Sequence, residues 1–233
     1  MVNDKGLGRR SLDEGGFTLV EFLIAMTITA AVLGGVMTLA TQMQQAYTRE
    51  QDSATAEQEA RFAVDWIARV IRSAGSNPYN IATSACPVAN TTFQAIRVDP
   101  NANGIQDDVR IQADVNPTDG VLTGTAGACI GGQTNEDVTI AYDSTTKTIT
   151  RLDRGRDSAA VAMTEPVITD LTFSYLKSDH VNTTTDPDLI TYVTVSVTAR
   201  SQGVGGVATS ADADASNYLT TTVTEEVHLR TRG

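Results

Sequence analysis

From Phe17 to Ala40 the chain carries a single charge, Glu21, in a run otherwise built from apolar residues, glycine and threonine. Rising about 1.5 Å per residue, a helix of this run is about 36 Å long and outspans the roughly 30 Å hydrocarbon core of a bilayer. Length and composition therefore predict a membrane-spanning helix. The preceding residues, MVNDKGLGRRSLDEGG, are polar and carry Lys5, Arg9 and Arg10, whereas Arg49 comes only well beyond the span. That asymmetry places the N-terminus in the cytoplasm and everything after about residue 50 on the other side.

An ordinary secretory signal keeps its small-residue cleavage site behind the apolar run. Here the small pair Gly15-Gly16 stands in front of it, so a cut there leaves the helix on the mature chain. The rest is acidic, with 28 Asp and Glu against 17 Lys and Arg, and lacks the clustered basic residues that releasing counterions from phosphate requires. No direct nucleic-acid partner is expected. Cys86 and Cys129 form an even pair in an exported chain and read as one disulfide closing a long loop, against the alternative of two buried thiols that never meet.

The stretch Gly16-Phe17-Thr18-Leu19-Val20-Glu21 resembles the processing motif of type IV prepilins and of the pseudopilins of type II secretion. The resemblance implies that a prepilin peptidase cuts after Gly16 and that the new amine of Phe17 is methylated. It also implies that Glu21 meets the N-terminus of a neighbouring subunit and sets axial register. An ion pair of that kind is favoured where an intramembrane carboxylate otherwise lacks a partner. The alternative for Glu21 is simple residence at the positive end of the helix. Where this family often has a proline in the second half of the span, Thr38 stands instead. Gly34-Gly35 marks either a bend or a close helix contact.

Beyond Gln42 no helix breaker occurs before Gly75, and Phe62, Trp66, Ile67, Val70, Ile71 and Ala74 recur at helical spacing. They predict one apolar face, with Trp66 anchoring the helix on a core. Gly75 and Asn77-Pro78 end the helix. The segment RFAVDWIARVIRSAGSNP resembles PilW-like minor pilins. The organisation expected is a leader over 1–16, a membrane and filament-core helix over 17–41, an amphipathic continuation over 42–75, and a β-rich extracytoplasmic domain over 76–233.

Alternation predicts strands over 92–99, 108–115, 137–142, 147–152, 167–177, 189–200 and 219–230, with a hairpin loop at 142–147 and a flexible small-residue loop at 201–217. The fold class expected is α+β, one long N-terminal helix packed on an antiparallel sheet, and the resemblance implies that it is type IV pilin-like. In the loop DPNANGIQD the oxygens of Asp99, Asn101, Asn103 and Asp107 stand at alternate positions around Gly104, as in the first part of a calcium loop. Arg110 occupies the twelfth position, where a bidentate carboxylate belongs, which leaves Asp107 or Asp108 to contribute in a different calcium-loop geometry. A turn rich in Asn, Asp and Gly is the alternative.

His180 lies in a polar stretch and His228 alternates in the last strand, and neither belongs to a recognisable catalytic motif, so no enzyme and no required cofactor are expected. The expected function is that of a minor pilin in pilus assembly or initiation. A minor pseudopilin of type II secretion and a tip adhesin are the alternatives. The partners expected are other pilins through the N-terminal helix, the prepilin peptidase and the inner membrane. The expected location is a single pass in that membrane with the C-terminal domain in the periplasm, followed by the pilus.

Overall fold

The computed structural model of the 233-residue chain describes residues 16, 18–78, 83–84, 91–115, 135–201 and 219–229. Phe17, Cys86, Cys129 and the small-residue loop from 202 onward lie outside the described residues. The chain divides into two units, 1–47 and 48–233, and the helix α1 (Leu19–Ser73) contributes to both.

In the first unit every described residue is exposed, including Leu19, Phe22, Leu23, Ile24, Ile28, Leu33 and Leu39. Four threonines interrupt the apolar surface, and each turns its hydroxyl onto the helix backbone. Thr27 donates to the Ile24 carbonyl at 2.8 Å, Thr29 to Ala25 at 2.7 Å, Thr38 to Gly34 at 2.9 Å and Thr41 to Thr38 at 2.8 Å. A hydroxyl satisfied in this way needs no water, which is why threonine is compatible with a lipid-facing helix. The helix runs unbroken through Gly34 and Gly35.

In the second unit the last part of α1 buries Ala56, Ala60, Ala63, Val64, Ile67, Ala68 and Ile71. The buried face is therefore lined mainly by alanine, and it differs from the face expected from the large residues. Phe62 is 47% exposed, and Trp66 and Val70 are half-buried at the margin of the core. Small side chains bring the helix backbone close to the sheets, so the bulky residues fit only at the edges of the contact. The helix stops where Gly75 adopts a positive φ of 78° and donates its N–H to the Gln112 carbonyl at 3.0 Å. A Cβ there would stand 3.1 Å from that of Ala95, so glycine is required by space as well as by conformation.

The sheet region forms two main sheets, where alternation had predicted one. The first holds β3 (Ile96–Val98), β4 (Asp108–Gln112), β5 (Asp137–Asp143), β6 (Thr148–Asp153) and β7 (Val161–Ala162) in chain order, all antiparallel. The second holds β8 (Ile168–Leu176), β9 (Tyr192–Arg200) and β10 (Thr220–His228) in the order β10-β9-β8. A short pair, β1 (Thr83–Ser84) with β2 (Thr91–Thr92), completes the described strands.

One core joins the helix to both sheets. It takes Val109 and Ile111 from β4, Val138 and Ile140 from β5, Leu171, Phe173 and Tyr175 from β8, and Val193, Val195 and Val197 from β9. Burying each such aliphatic side chain contributes about 1.5–3 kcal/mol relative to exposure. A bulge between Ile168 and Asp170 shifts the parity of β8, which is why Ile168 and Leu171 both face inward. The hairpin between β5 and β6 turns where expected: Asp143 Oδ1 accepts the N–H groups of Thr145 at 2.8 Å and Thr146 at 3.3 Å, and Lys147 takes a φ of 59°.

Candidate functional site

Three places carried functional expectations: the start of α1, the loop at 99–108 and the two histidines. At the helix start, Thr18 and Glu21 satisfy each other reciprocally. The Glu21 Oε2 accepts the Thr18 N–H and the Thr18 hydroxyl, each at 2.9 Å, while the Thr18 Oγ1 accepts the Glu21 N–H at 3.3 Å. Phe22 N–H donates to the Thr18 carbonyl at 3.2 Å and opens the helical ladder. This is a capping box, in which a threonine at the cap and a glutamate three residues on satisfy backbone donors that the first turn leaves over. The T-x-x-E spacing that signals such a box is present in the sequence at Thr18-Leu19-Val20-Glu21. Gly16 is exposed with open space around it, and Phe17 lies outside the described residues.

The loop at 99–108 is a chain of side-chain oxygens folded onto its own amides. Asp99 accepts the N–H of Asn103 through Oδ1 at 3.0 Å and that of Gly104 through Oδ2 at 2.8 Å. Asn101 Oδ1 accepts the Asn103 N–H at 2.9 Å, and Asn103 Oδ1 accepts the Ile105 N–H at 2.7 Å. Asp99, Ala102 and Gly104 all have positive φ, which curls the backbone so that its amides reach the oxygens of Asp99, Asn101 and Asn103. Asp107 and Asp108 follow at its end. Asp108 is 2% exposed and accepts the Asn101 N–H through Oδ2 at 3.2 Å. Burial pushes its carboxyl up to about 6, the Asn101 N–H opposes that, and the charges of Asp107 and Asp99 add to it.

The loop is fixed to both sheets. Its Gln106 carbonyl accepts the Phe173 N–H of β8 at 2.8 Å, and its Asp107 carbonyl accepts the Tyr142 N–H of β5 at 3.0 Å. Tyr175, two residues beyond Phe173 on the same face of β8, is held well above the ordinary tyrosine range by burial and by the charges of Asp108 and Asp99. Among the described residues no three carboxylate, imidazole or thiolate side chains converge to hold a metal. A cation in this loop must therefore draw on amide and carbonyl oxygens as well as on aspartate, the mixture that calcium accepts.

A second polar cluster lies on the face of β4 turned away from the aliphatic core. Arg110 grips the fully buried Asp137 as a fork, its Nε donating to Oδ1 at 2.7 Å. Gln112 Nε2 donates to Asp137 Oδ2 at 3.0 Å, and Arg154 Nε stands 3.5 Å from Oδ1. Burial lowers the pKa of Arg154, and the Arg110 charge lowers it further. The arrangement ties β4 to β5 and the residues after β6, and its saturated geometry suits cohesion of the sheet.

The histidines are both exposed, as expected, but they are neighbours. Tyr192 lies between them, 3.6 Å from the His180 ring centre and 4.8 Å from that of His228. His180 Nδ1 is 3.3 Å from Glu226 Oε1. The pairing of Tyr192 with His228 across β9 and β10 builds this group, and no linear spacing announces it.

A family model described as the prokaryotic N-terminal methylation motif matches residues 12–37. No curated protein matches the chain. Among solved structures the chain is similar to a type IV-like pilin from Thermus thermophilus, at 12% identity over 74% of this chain and 96% of that chain, with a TM-score of 0.41.

Proposed function

We propose that this chain is a minor pilin, a structural subunit that enters the core of a type IV pilus through its N-terminal helix. The observation that carries the reading is the methylation motif over residues 12–37, which overlaps the start of α1, where every apolar residue from Leu19 to Tyr47 is exposed. An apolar helix of that length is stable in lipid or among sibling helices and is unfavourable in water. On this reading a prepilin peptidase cuts between Gly16 and Phe17 and methylates the Phe17 amine. The subunit waits in the inner membrane with residues after about 50 in the periplasm, and assembly exchanges lipid for other pilins. Glu21 supplies the carboxylate that meets a neighbour's N-terminus in the dry interior. The role is structural, and no catalytic step is assigned to any residue.

The test is a deletion strain compared with its complemented parent. Loss of surface filaments, with this chain present in sheared filaments at a small fraction of the main subunit, supports the minor-pilin role. Loss of protein secretion with filaments intact reassigns it to the secretion pseudopilins, which share the motif.

A further inference from the structure

We infer that the loop at 99–108 binds one calcium ion, with Asp108 supplying the carboxylate that the linear pattern lacked. In loops of this kind oxygens at the first, third, fifth and ninth positions are joined by a bidentate carboxylate at the twelfth. Here the twelfth residue is Arg110, committed to Asp137. Asp108 stands two residues earlier and is already drawn into the loop by the Asn101 N–H.

The buried oxygens beside the loop are an observation independent of the loop's own hydrogen bonds. Four buried side-chain oxygens without a hydrogen-bond partner among the described residues belong to the end of the loop and to β8 beside it: Gln106 Oε1, Asp107 Oδ1, Asp108 Oδ1 and the Tyr175 hydroxyl. Asp108 is 2% and Tyr175 3% exposed, whereas Gln106 and Asp107 are half-buried as residues. An isolated buried carboxylate oxygen is costly, and a divalent cation offsets that cost for several oxygens at once. The mixture of aspartate and amide oxygens, without imidazole or thiolate, selects a hard cation, and flexible oxygen coordination favours calcium over the smaller, more strictly octahedral magnesium. Because the loop is pinned to β5 and β8, a bound ion would brace the contact between the two sheets.

The test uses the full-length chain in detergent, stripped with a chelator and titrated with calcium chloride and separately with magnesium chloride, by calorimetry and thermal unfolding. One saturable calcium site and a rise in melting temperature are expected, with magnesium at least about tenfold weaker. Asp108→Asn should weaken calcium by at least about tenfold, and Asn103→Ala, at an exposed position that does not threaten folding, should weaken it as well. Glu50→Gln with Asp65→Asn, exposed acids on α1 away from the loop, should leave the affinity unchanged. Absence of calcium heat and of any thermal shift overturns the inference, because the buried oxygens are then satisfied by water and the loop is only a turn. Equal binding of magnesium, affinity retained in the loop variants, or an equal loss in the Glu50 and Asp65 control overturns it too, as diffuse attraction to an acidic surface.

Discussion

The Glu21 carboxylate is held by Thr18, which donates both its backbone N–H and its hydroxyl to the same oxygen at 2.9 Å. The acid proposed to meet a neighbouring subunit therefore has a partner within its own chain. One of its oxygens caps the helix, and pairing with another N-terminus needs the second oxygen or an exchange of the cap.

Glu21→Ala removes both functions. The expected outcome is normal leader removal with little of the subunit recovered in sheared filaments. Thr18→Ala releases the cap but keeps the carboxylate, so the recovery should fall less. The ratio of mature chain in filament and membrane fractions checks both variants, and equal recovery of Glu21→Ala and the parent rejects a register role.

The helix-to-sheet contact should depend on small aliphatic residues more than on the large aromatic ones. Ile67 is fully buried, and Ile67→Ala should cost about 2–5 kcal/mol of stability. Phe62, 47% exposed, should cost well under half as much on truncation. Chemical unfolding of the two variants side by side measures the difference, and a larger loss at Phe62 would show that the buried face has been misplaced.

Asp137 should be the most sensitive charge in the protein. Its removal leaves Arg110 without its fork and brings Arg110 and Arg154 into unscreened repulsion, at a cost of about 3–5 kcal/mol for Asp137→Ala. Replacing Arg110 and Asp137 together by Met and Leu should recover part of that loss. Urea unfolding reads both, and a single-variant loss below about 1 kcal/mol contradicts a desolvated pair.

The turn at Asp179 titrates unusually low. The Asn182 N–H, the Asn182 side-chain amide and the Val181 N–H all donate to its carboxylate, lowering its pKa from 3.8 to about 2. A depressed folded pKa means that the stabilisation is fully present above 3.8 and is lost as pH falls through about 2. An NMR titration should place the Asp179 midpoint near 2, and Asn182→Ala, which deletes the side-chain donor, should raise it toward 3.8. A midpoint already at 3.8 in the parent chain contradicts this turn geometry.

The strands from β3 to β10, other than β7, were legible because each alternates clearly between inward aliphatic and outward polar residues. β7 was not, since two exposed residues give no period. The separation into two sheets was hidden for a related reason: alternation identifies faces and leaves partners open. β4 misled more subtly. Its DVRIQ pattern reads as half-exposed, yet Asp108, Arg110 and Gln112 are buried because Asp137 and the 99–108 loop satisfy them. The calcium-like pattern was visible, with Asp107 or Asp108 as further contributors, whereas the choice of Asp108 was not, because its burial and its bond to Asn101 are set by the tertiary fold. The aromatic group of His180, Tyr192 and His228 was illegible for the same reason.

The central claim is that the apolar helix beginning at Phe17 stays on the mature chain and is carried into a filament. Mass spectrometry of the N-terminal peptide, taken from both membranes and sheared surface filaments, tests it most directly. A peptide that starts at Phe17 with a methylated amine, present in both fractions, is the expected result. A mature chain that starts beyond Ala40 and is recovered as a soluble secreted domain contradicts it.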